Sequence, residues 1–190
     1  MNSEYPAKGC PSPVPFIPEQ ASIPYSTYVA MQGKYFLGQT ELLTLGQGTY
    51  AWGELCNPLS GTNNLYVSFV GISNFSDVPL IAEIWFNANP LDMGAFSSRV
   101  TSANTALFPP PKNQVRIRSG QFGCETPTGG INAYDRIVPP HSTLSMDKDG
   151  RFIFGPGGNY LVFLKAPCCS KLVEARISFG WWEDKPKKPC

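Results

Sequence analysis

Proline and glycine interrupt this chain so often that a helical fold is the first class they exclude. The 190 residues include 19 prolines and 18 glycines. In a helix interior, glycine costs about 1 kcal/mol and proline about 3 kcal/mol relative to alanine. The chain is nevertheless 42% hydrophobic and 13% aromatic, which is enough to build a core and unlike a disordered segment. The composition therefore favours an all-β domain.

Short β segments, separated by turn residues, recur along residues 31–182 at the spacing typical of β-sandwiches. The two strongest are residues 65–72 and Leu80–Phe86, and in the second Leu80, Ala82 and Ile84 alternate with Ile81 and Glu83. Further candidates are residues 34–37, 40–45, 50–55, 114–119, 133–138, 142–146, 151–154, 159–165 and 172–182. Residues 147–150, Asp-Lys-Asp-Gly, predict a hairpin turn. About eight to ten strands indicate a jelly-roll-like antiparallel β-sandwich.

The first 30 residues differ from the rest in their proline density. Their prolines are Pro6, Pro11, Pro13, Pro15, Pro18 and Pro24. Proline disfavours a helix and favours an extended or polyproline arm. At about 3.1 Å per residue, 30 residues reach about 90 Å, whereas a 150-residue globule is about 40 Å across. The arm is therefore long enough to act as a connector to a neighbouring molecule.

The arm carries an alternating pattern that suits docking as an added strand. Prolines at positions 11, 13 and 15 remove N–H donors from one edge, while donors remain at Ser12, Val14 and Phe16 on the other edge. The apolar side chains of Phe16 and Ile17 also need a surface to cover them. We therefore expect residues Ser12, Val14, Phe16 and Ile17 to dock. A solvated proline-rich tail is the alternative.

Charge and the two termini restrict the partners and the compartment. With 15 Lys+Arg against 14 Asp+Glu the net charge is +1, so we expect no nucleic-acid partner. No apolar run approaches the roughly 20 residues of a membrane span, and the N-terminus lacks the pattern of a secretory signal peptide. Residues 183–190 form a charged tail. The predicted organisation is an arm (1–30), a sandwich (31–182) and this tail.

Cysteine placement carries the most information about function. Cys10 lies in the arm, Cys190 is the last residue, and Cys168 and Cys169 are adjacent, which makes these four candidates for disulfides between chains. Cys56 and Cys124 are either free or paired within the domain. Six cysteines allow 15 pairings, and mostly reduced or intradomain thiols remain an alternative. Because no C-x-x-C pairs or cysteine–histidine spacing occur, we expect no metal site.

Catalytic residues are sparse. His141 is the single histidine, and a serine or cysteine nucleophile would need it as a base. Glu83, Asp135 and Glu174 are the candidate carboxylates for glycoside hydrolysis. Neither set has a diagnostic spacing, so we expect no enzyme and no cofactor.

Aromatic residues keep a second function open. Tyr50, Trp52, Trp85, Trp181 and Trp182 would stack on sugars if they were exposed. This predicts, as the alternative function, a carbohydrate-binding or adhesion module.

Four blocks carry a family resemblance: QGKYFLGQTE (32–41), SNFSDVP (73–79), DRIVPP (135–140) and FGWWE (179–183). They resemble an uncharacterised domain family of spore-forming Gram-positive bacteria, which implies no known activity. The architecture is also similar to that of endospore appendage subunits, which are jelly rolls whose N-terminal connector forms disulfides to neighbouring subunits in a fibre. There the connector carries an adjacent cysteine pair, whereas here Cys10 stands alone and the pair is Cys168 and Cys169.

The arm, the terminal cysteines and the lack of a catalytic set, together with the appendage resemblance, predict a structural subunit that polymerises with itself by arm docking and intersubunit disulfides. We expect Cys10 to bond a cysteine of the neighbouring copy, with Cys168 and Cys169 as the candidates. The appendage resemblance also implies an extracellular or spore-surface location that is reached from the mother cell without a secretory signal. An anchoring or capping protein would be the further partner.

Overall fold

The computed structural model describes residues 22–90, 92–123, 125–167 and 171–186. Within these ranges the chain forms one helix, α1 (Tyr25–Met31), and twelve strands. The strands are β1 (Tyr35–Gln39), β2 (Leu43–Leu45), β3 (Tyr50–Cys56), β4 (Asn64–Asn74), β5 (Leu80–Phe86), β6 (Ala95–Phe96), β7 (Val100–Ser102), β8 (Arg116–Phe122), β9 (Ile131–Val138), β10 (Ser142–Phe154), β11 (Asn159–Lys165) and β12 (Val173–Asp184). The all-β prediction is confirmed.

The strands form two antiparallel sheets packed face to face. The first has the order β10-β4-β12-β1-β7, with β2 also paired to β12, and the second has the order β6-β8-β3-β11-β5-β9. Apart from β2, β6, β7 and β8, the eight remaining strands run β10-β4-β12-β1 in one sheet and β3-β11-β5-β9 in the other. This is the strand order of a jelly roll, so the predicted sandwich architecture is confirmed.

Along each strand, side chains alternate between the core, which lies between the two sheets, and the outer face. In β5, Leu80, Ala82 and Ile84 are fully buried, whereas Ile81 on the opposite face is 47% exposed. In the first sheet, Phe179 and Trp181 of β12 face the same core. Burial of one such aromatic or aliphatic side chain contributes about 1.5–3 kcal/mol, so this layer is the main source of stability.

β12 runs the length of the sandwich and defines its two ends. It pairs with β4 along one edge and with β1 and then β2 along the other. Where β1 stops, Thr40 continues the contact, because its hydroxyl accepts the Ile177 N–H at 3.2 Å and its N–H donates to the Ile177 carbonyl at 2.8 Å. At about 3.3 Å per residue, Val173 and Trp182 lie about 30 Å apart. We call these the Val173 end and the Trp182 end.

The long connection between β5 and β9 closes one side of the sandwich. Its strand β7 extends the first sheet beyond β1, and its strands β8 and β6 extend the second beyond β3. The buried Glu183 carboxylate holds this connection, because it accepts the N–H groups of Gln114 (2.9 and 3.0 Å) and Val115 (3.0 Å) and the Trp181 indole N–H (3.1 Å). Burial raises the pKa of Glu183, and these N–H donors oppose that rise.

The expectation of an extended arm over residues 1–30 is wrong for its last residues, because residues 25–31 form α1. Pro24 lies at the N-cap, and proline at the start of a helix removes an N–H that would have had no intrahelical partner. No proline interrupts the next turns, and Val29 anchors the helix through its fully buried side chain. Residues 1–21 lie outside the described residues.

The hairpin turn predicted at residues 147–150 is also wrong. Both halves of β10 pair with β4, Asp147 with Phe69 and Phe152 with Val67, so residues 148–151 form a bulge opposite a single residue. Asp149 and Gly150 do adopt the positive φ values of 47° and 69° that the turn chemistry predicts. Local sequence therefore identified the conformation, but pairing with β4 determined the topology.

Candidate functional site

The edge strands β9 and β10, one from each sheet, lie on the side of the sandwich opposite the long connection. Both are protected against an added strand. The β10 edge is interrupted by its bulge, and the bulge residue Lys148 lies over the ring of Tyr134 at 4.8 Å. Arg136 of β9 lies over the same ring, 4.7 Å from its centroid. The residue paired with Arg136 on the neighbouring strand β5 is Ala82, which is buried in the core. Bulges and charged side chains on edge strands oppose strand addition.

At the Val173 end, Asn74 joins two of the blocks that carry the family resemblance, SNFSDVP and DRIVPP. Its amide nitrogen donates to the carbonyls of Val78 (2.8 Å), Val138 (3.3 Å) and Pro139 (3.1 Å). Its amide oxygen accepts the N–H and the hydroxyl of Ser76 at 3.0 and 2.6 Å. Asn74 is 1% exposed. The loop that follows β4 is therefore held by a buried, fully bonded side chain.

His141 holds the same loop from its other side. Its N–H donates to the Ser76 carbonyl at 3.1 Å, and its Nε2 lies 2.6 Å from Asp77 Oδ1. Both side chains are largely exposed. The sequence raised His141 as a base for a hydroxyl or thiol nucleophile, whereas the structure places its ring against a loop carboxylate.

A surface groove of about 690 Å³ opens at the Val173 end. The loop after β4 forms one wall with Phe75 and Val78, and the segment leading into β12 forms the other with Leu172. Phe75 and Leu172 are 50% and 56% exposed. Asp77, Lys171 and Glu174 provide charges around it. We call this the end groove. Its lining residue Lys171 lies close in sequence to the adjacent cysteines.

Lys171, in the wall of the end groove, follows Cys169 by two residues and Cys168 by three. At 3.8 Å between consecutive Cα atoms, these separations span at most about 8 and about 11 Å of chain. A peptide bound in the end groove is therefore within reach of this cysteine pair.

The arm joins the domain at the other end. Tyr25, the first residue of α1, contacts Trp182, with ring centroids 5.7 Å apart, and Trp182 in turn stacks on Tyr66 at 5.5 Å. Pro24 and Asp149 line the same depression as Trp182. The arm therefore starts at the Trp182 end, about 30 Å of strand from the end groove.

The outer face of the second sheet carries a dense set of internal polar contacts. Glu54 is fully buried, pairs with Arg118 at 2.6 Å and accepts the Asn159 amide N–H at 2.5 Å. Beside it, Glu83 binds Lys165 and accepts the Trp85 indole N–H at 3.0 Å. Of the three candidate carboxylates, Glu83 lies opposite Asp135 across β5 and β9, whereas Glu174 lies in the end groove.

The aromatic residues proposed for sugar stacking are mostly not at the surface. Trp52, Trp181 and Trp182 are 4% exposed or less, which corrects the expectation that they are surface residues. Tyr50 and Trp85 are partly exposed and pack on Phe163 and its neighbours. The sequence could not distinguish the buried aromatic residues from the exposed ones, because a tryptophan in a strand can lie on either face of a sheet.

The buried Glu54 predicts a pH dependence of stability. Burial raises its pKa, although Arg118 and Asn159 act in the opposite direction. The folded chain therefore binds a proton at this carboxyl more tightly than the unfolded chain, whose glutamates titrate near pH 4.3. We expect the stability of the wild type relative to Glu54→Gln to fall as pH rises through the window above about 4.3. Urea unfolding of both proteins across this window measures the difference, and a difference that rises with pH contradicts the prediction.

Of the predicted site residues, the structure places Cys56, which is half-buried and free. Burial raises the pKa of its thiol, and the nearby Glu54 carboxylate adds to that rise. The remaining cysteines and the arm residues lie outside the described residues; they are Cys10, Cys124, Cys168, Cys169, Cys190, Ser12, Val14, Phe16 and Ile17. The sequence missed Asn74, Phe75 and Leu172, although the first two lie in a block that already carried the resemblance.

The described residues contain neither a cluster of metal ligands nor a helix able to span a membrane. No group of three or more His, Cys, Asp or Glu side chains that could hold a metal ion occurs among them. None of their helices has the length and apolar character needed to cross a membrane.

The model of a family of unknown function (DUF6143) matches residues 16–188. No curated protein matches.

Proposed function

We propose that this chain, which belongs to the family of unknown function DUF6143, is a structural subunit that assembles with copies of itself into an extracellular or spore-surface fibre. One observation carries the proposal. The arm starts at the Trp182 end of β12, whereas the end groove lies at the Val173 end, and the adjacent cysteines precede its residue Lys171 by two and three positions in sequence. A donor and an acceptor at opposite ends of one domain suit head-to-tail assembly.

Such a contact is heterologous, because different surfaces of the two copies meet. Heterologous contacts give open filaments when their rotation does not close a ring. Cys10 precedes Pro24 by fourteen positions, and at about 3.1 Å per position this segment extends about 43 Å. This reach is long enough for one copy to hold the next even where the two sandwiches do not touch. The copy at each fibre tip retains a free groove or a free arm, where an anchoring or capping protein would bind.

A disulfide from Cys10 to Cys168 or Cys169 of the next copy would make the contact permanent. The two thiols lose two protons and two electrons to an oxidant such as a small-molecule disulfide, and one S–S bond forms. Stable disulfides are rare in a reducing cytosol, so the bond would form after release from the mother cell. It resists heat and detergent because it must be reduced rather than dissociated.

Electrophoresis of oxidised full-length protein without reductant tests this function. We expect a ladder of multiples of 20.8 kDa that collapses to one band with reductant, and we expect Cys10→Ser to abolish the ladder. Cys56→Ser is the matched control, because Cys56 lies at the end of β3 and is free, and it should leave the ladder intact. A monomer band from the oxidised wild type would reject the proposal.

A further inference from the structure

We infer that the end groove is the binding site for the arm of a second copy, with arm residues 14–17 lying between Phe75 and Leu172. The inference rests on the proposed function and adds the surface on which the arm docks. Its occupant is a segment outside the described residues whose attachment point, Pro24 at the start of α1, is known.

Both the groove and the arm offer apolar side chains that can pack against each other. Phe75, Val78 and Leu172 are apolar side chains in a lining that also contains polar and charged residues, and Phe75 and Leu172 are each at least half exposed. The arm offers apolar side chains at Val14, Phe16 and Ile17. Burying such side chains is favourable by about 1.5–3 kcal/mol each, which is a driving force that the solvated arm and the open groove lack separately.

The charges around the groove do not select the arm. Two carboxylates, Asp77 and Glu174, face one ammonium, Lys171, around the groove, so the groove is net negative. Residues 14–17 of the arm are uncharged, and the nearest charges before and after them in sequence, Lys8 and Glu19, have opposite signs. With residues 14–17 in the groove, Cys10 and Lys8 lie just beyond it, and the adjacent cysteines of the acceptor are joined to its wall through Lys171.

Chain length favours a second copy over the chain's own groove. Phe16 precedes Pro24 by eight positions, and at about 3.1 Å per position this segment covers about 25 Å. The Trp182 and Val173 ends lie about 30 Å apart. Even at the extended limit of about 3.6 Å per residue these eight positions reach about 29 Å, so the arm of the same chain approaches its own groove only when it is completely straight, whereas the groove of a neighbour has no such limit.

The edges of β9 and β10 are less suitable for the same segment. Their bulge and the Lys148 and Arg136 side chains oppose an added strand. The end groove needs no strand pairing, so the prolines at positions 11, 13 and 15 cost no hydrogen bonds there.

The test uses full-length protein and a fluorescein-labelled peptide of arm residues 8–18 with serine in place of Cys10. Fluorescence anisotropy measures its binding to reduced wild type, Leu172→Ser, Phe75→Ser and the control Leu59→Ser, whose side chain is 84% exposed and lies outside the end groove. We expect at least about tenfold weaker binding to each groove variant, since each loses an apolar contact worth more than 1.4 kcal/mol, and wild-type binding to Leu59→Ser. Equal binding to wild type and both groove variants overturns the inference.

The ladder of the oxidised full-length variants separates the two proposals. A wild-type ladder that is slowed at least about tenfold in Leu172→Ser but not in Leu59→Ser supports both. A ladder that forms equally fast in Leu172→Ser overturns the groove assignment and leaves the fibre proposal standing. A wild type that stays monomeric overturns the fibre proposal, and the groove assignment with it. Thermal unfolding of each variant within a few degrees of wild type establishes that it is folded.

Discussion

Replacing Gly150 with alanine is expected to lower the free energy of unfolding by about 3 kcal/mol. Gly150 has a φ of +69°, and a Cβ at this position would lie 1.9 Å from Cη2 of Trp182. The left-handed conformation costs an L residue about 1–2 kcal/mol, and overpacking adds about 1–3 kcal/mol. The β10 bulge lies directly on Trp182, so neither partner can move away without breaking the pairing of β10 or of β12.

Urea unfolding followed by tryptophan fluorescence measures this loss, and Gly155→Ala is the matched control. A Cβ on Gly155 would come no closer than 3.9 Å to another atom, Asn64 Oδ1, so its substitution should change stability by less than about 0.5 kcal/mol. If Gly150→Ala were as stable as Gly155→Ala, the bulge would not press on Trp182. Because Trp182 also contacts Tyr25 of α1, Gly150→Ala should loosen the start of the arm, which near-ultraviolet circular dichroism would detect.

The Gly150 bulge illustrates what local sequence can and cannot predict. Strands β5 and β11 match the predicted residues 80–86 and 159–165, because their alternation or continuous apolar run is complete within a single segment. The positive φ of Gly150 was predictable as well. The return of the chain to β4 was not predictable. A bulge and a hairpin turn differ only in the distant strand with which the following residues pair.

Helix α1 escaped prediction for a different reason. Proline density over 30 residues indicates an extended arm on average, whereas the seven residues Tyr25–Met31 contain no proline. Burial of Val29 against the sandwich stabilises a helix that is too short to form alone. The helix depends on tertiary contact, which is information that no window of local sequence contains.

The candidate site was still less visible from the sequence. Phe75 and Leu172 are 97 positions apart and meet only because β4 pairs with β12. Each is an ordinary apolar residue next to a turn, so neither stands out. The cysteines and prolines of the arm were visible because their chemistry depends on residue type alone, whereas the surface proposed to receive them is made by the fold.

Replacing Asn74 with alanine is expected to cost about 3–5 kcal/mol of unfolding free energy, although it removes only a small side chain. The amide donates to the carbonyls of Val78, Val138 and Pro139 and accepts from Ser76. Each buried polar group that loses its partner costs about 1–3 kcal/mol. Asn132→Ala is the control, because Asn132 is exposed and bonds to Asp135 on the surface, and it should cost less than about 0.5 kcal/mol.

Asn74→Asp separates hydrogen bonding from size at the same position. Aspartate keeps the volume and the oxygen that accepts from Ser76, but it directs a second, anionic oxygen at the carbonyls that the amide nitrogen now satisfies. We therefore expect Asn74→Asp to be less stable than Asn74→Ala near neutral pH, because an unpaired buried charge costs more than a missing side chain. Urea unfolding of the two variants decides it: an aspartate variant as stable as the wild type would show that the amide nitrogen does not hold this loop. Since the loop is one wall of the end groove, both variants should also bind the arm peptide more weakly than wild type under conditions where they remain folded.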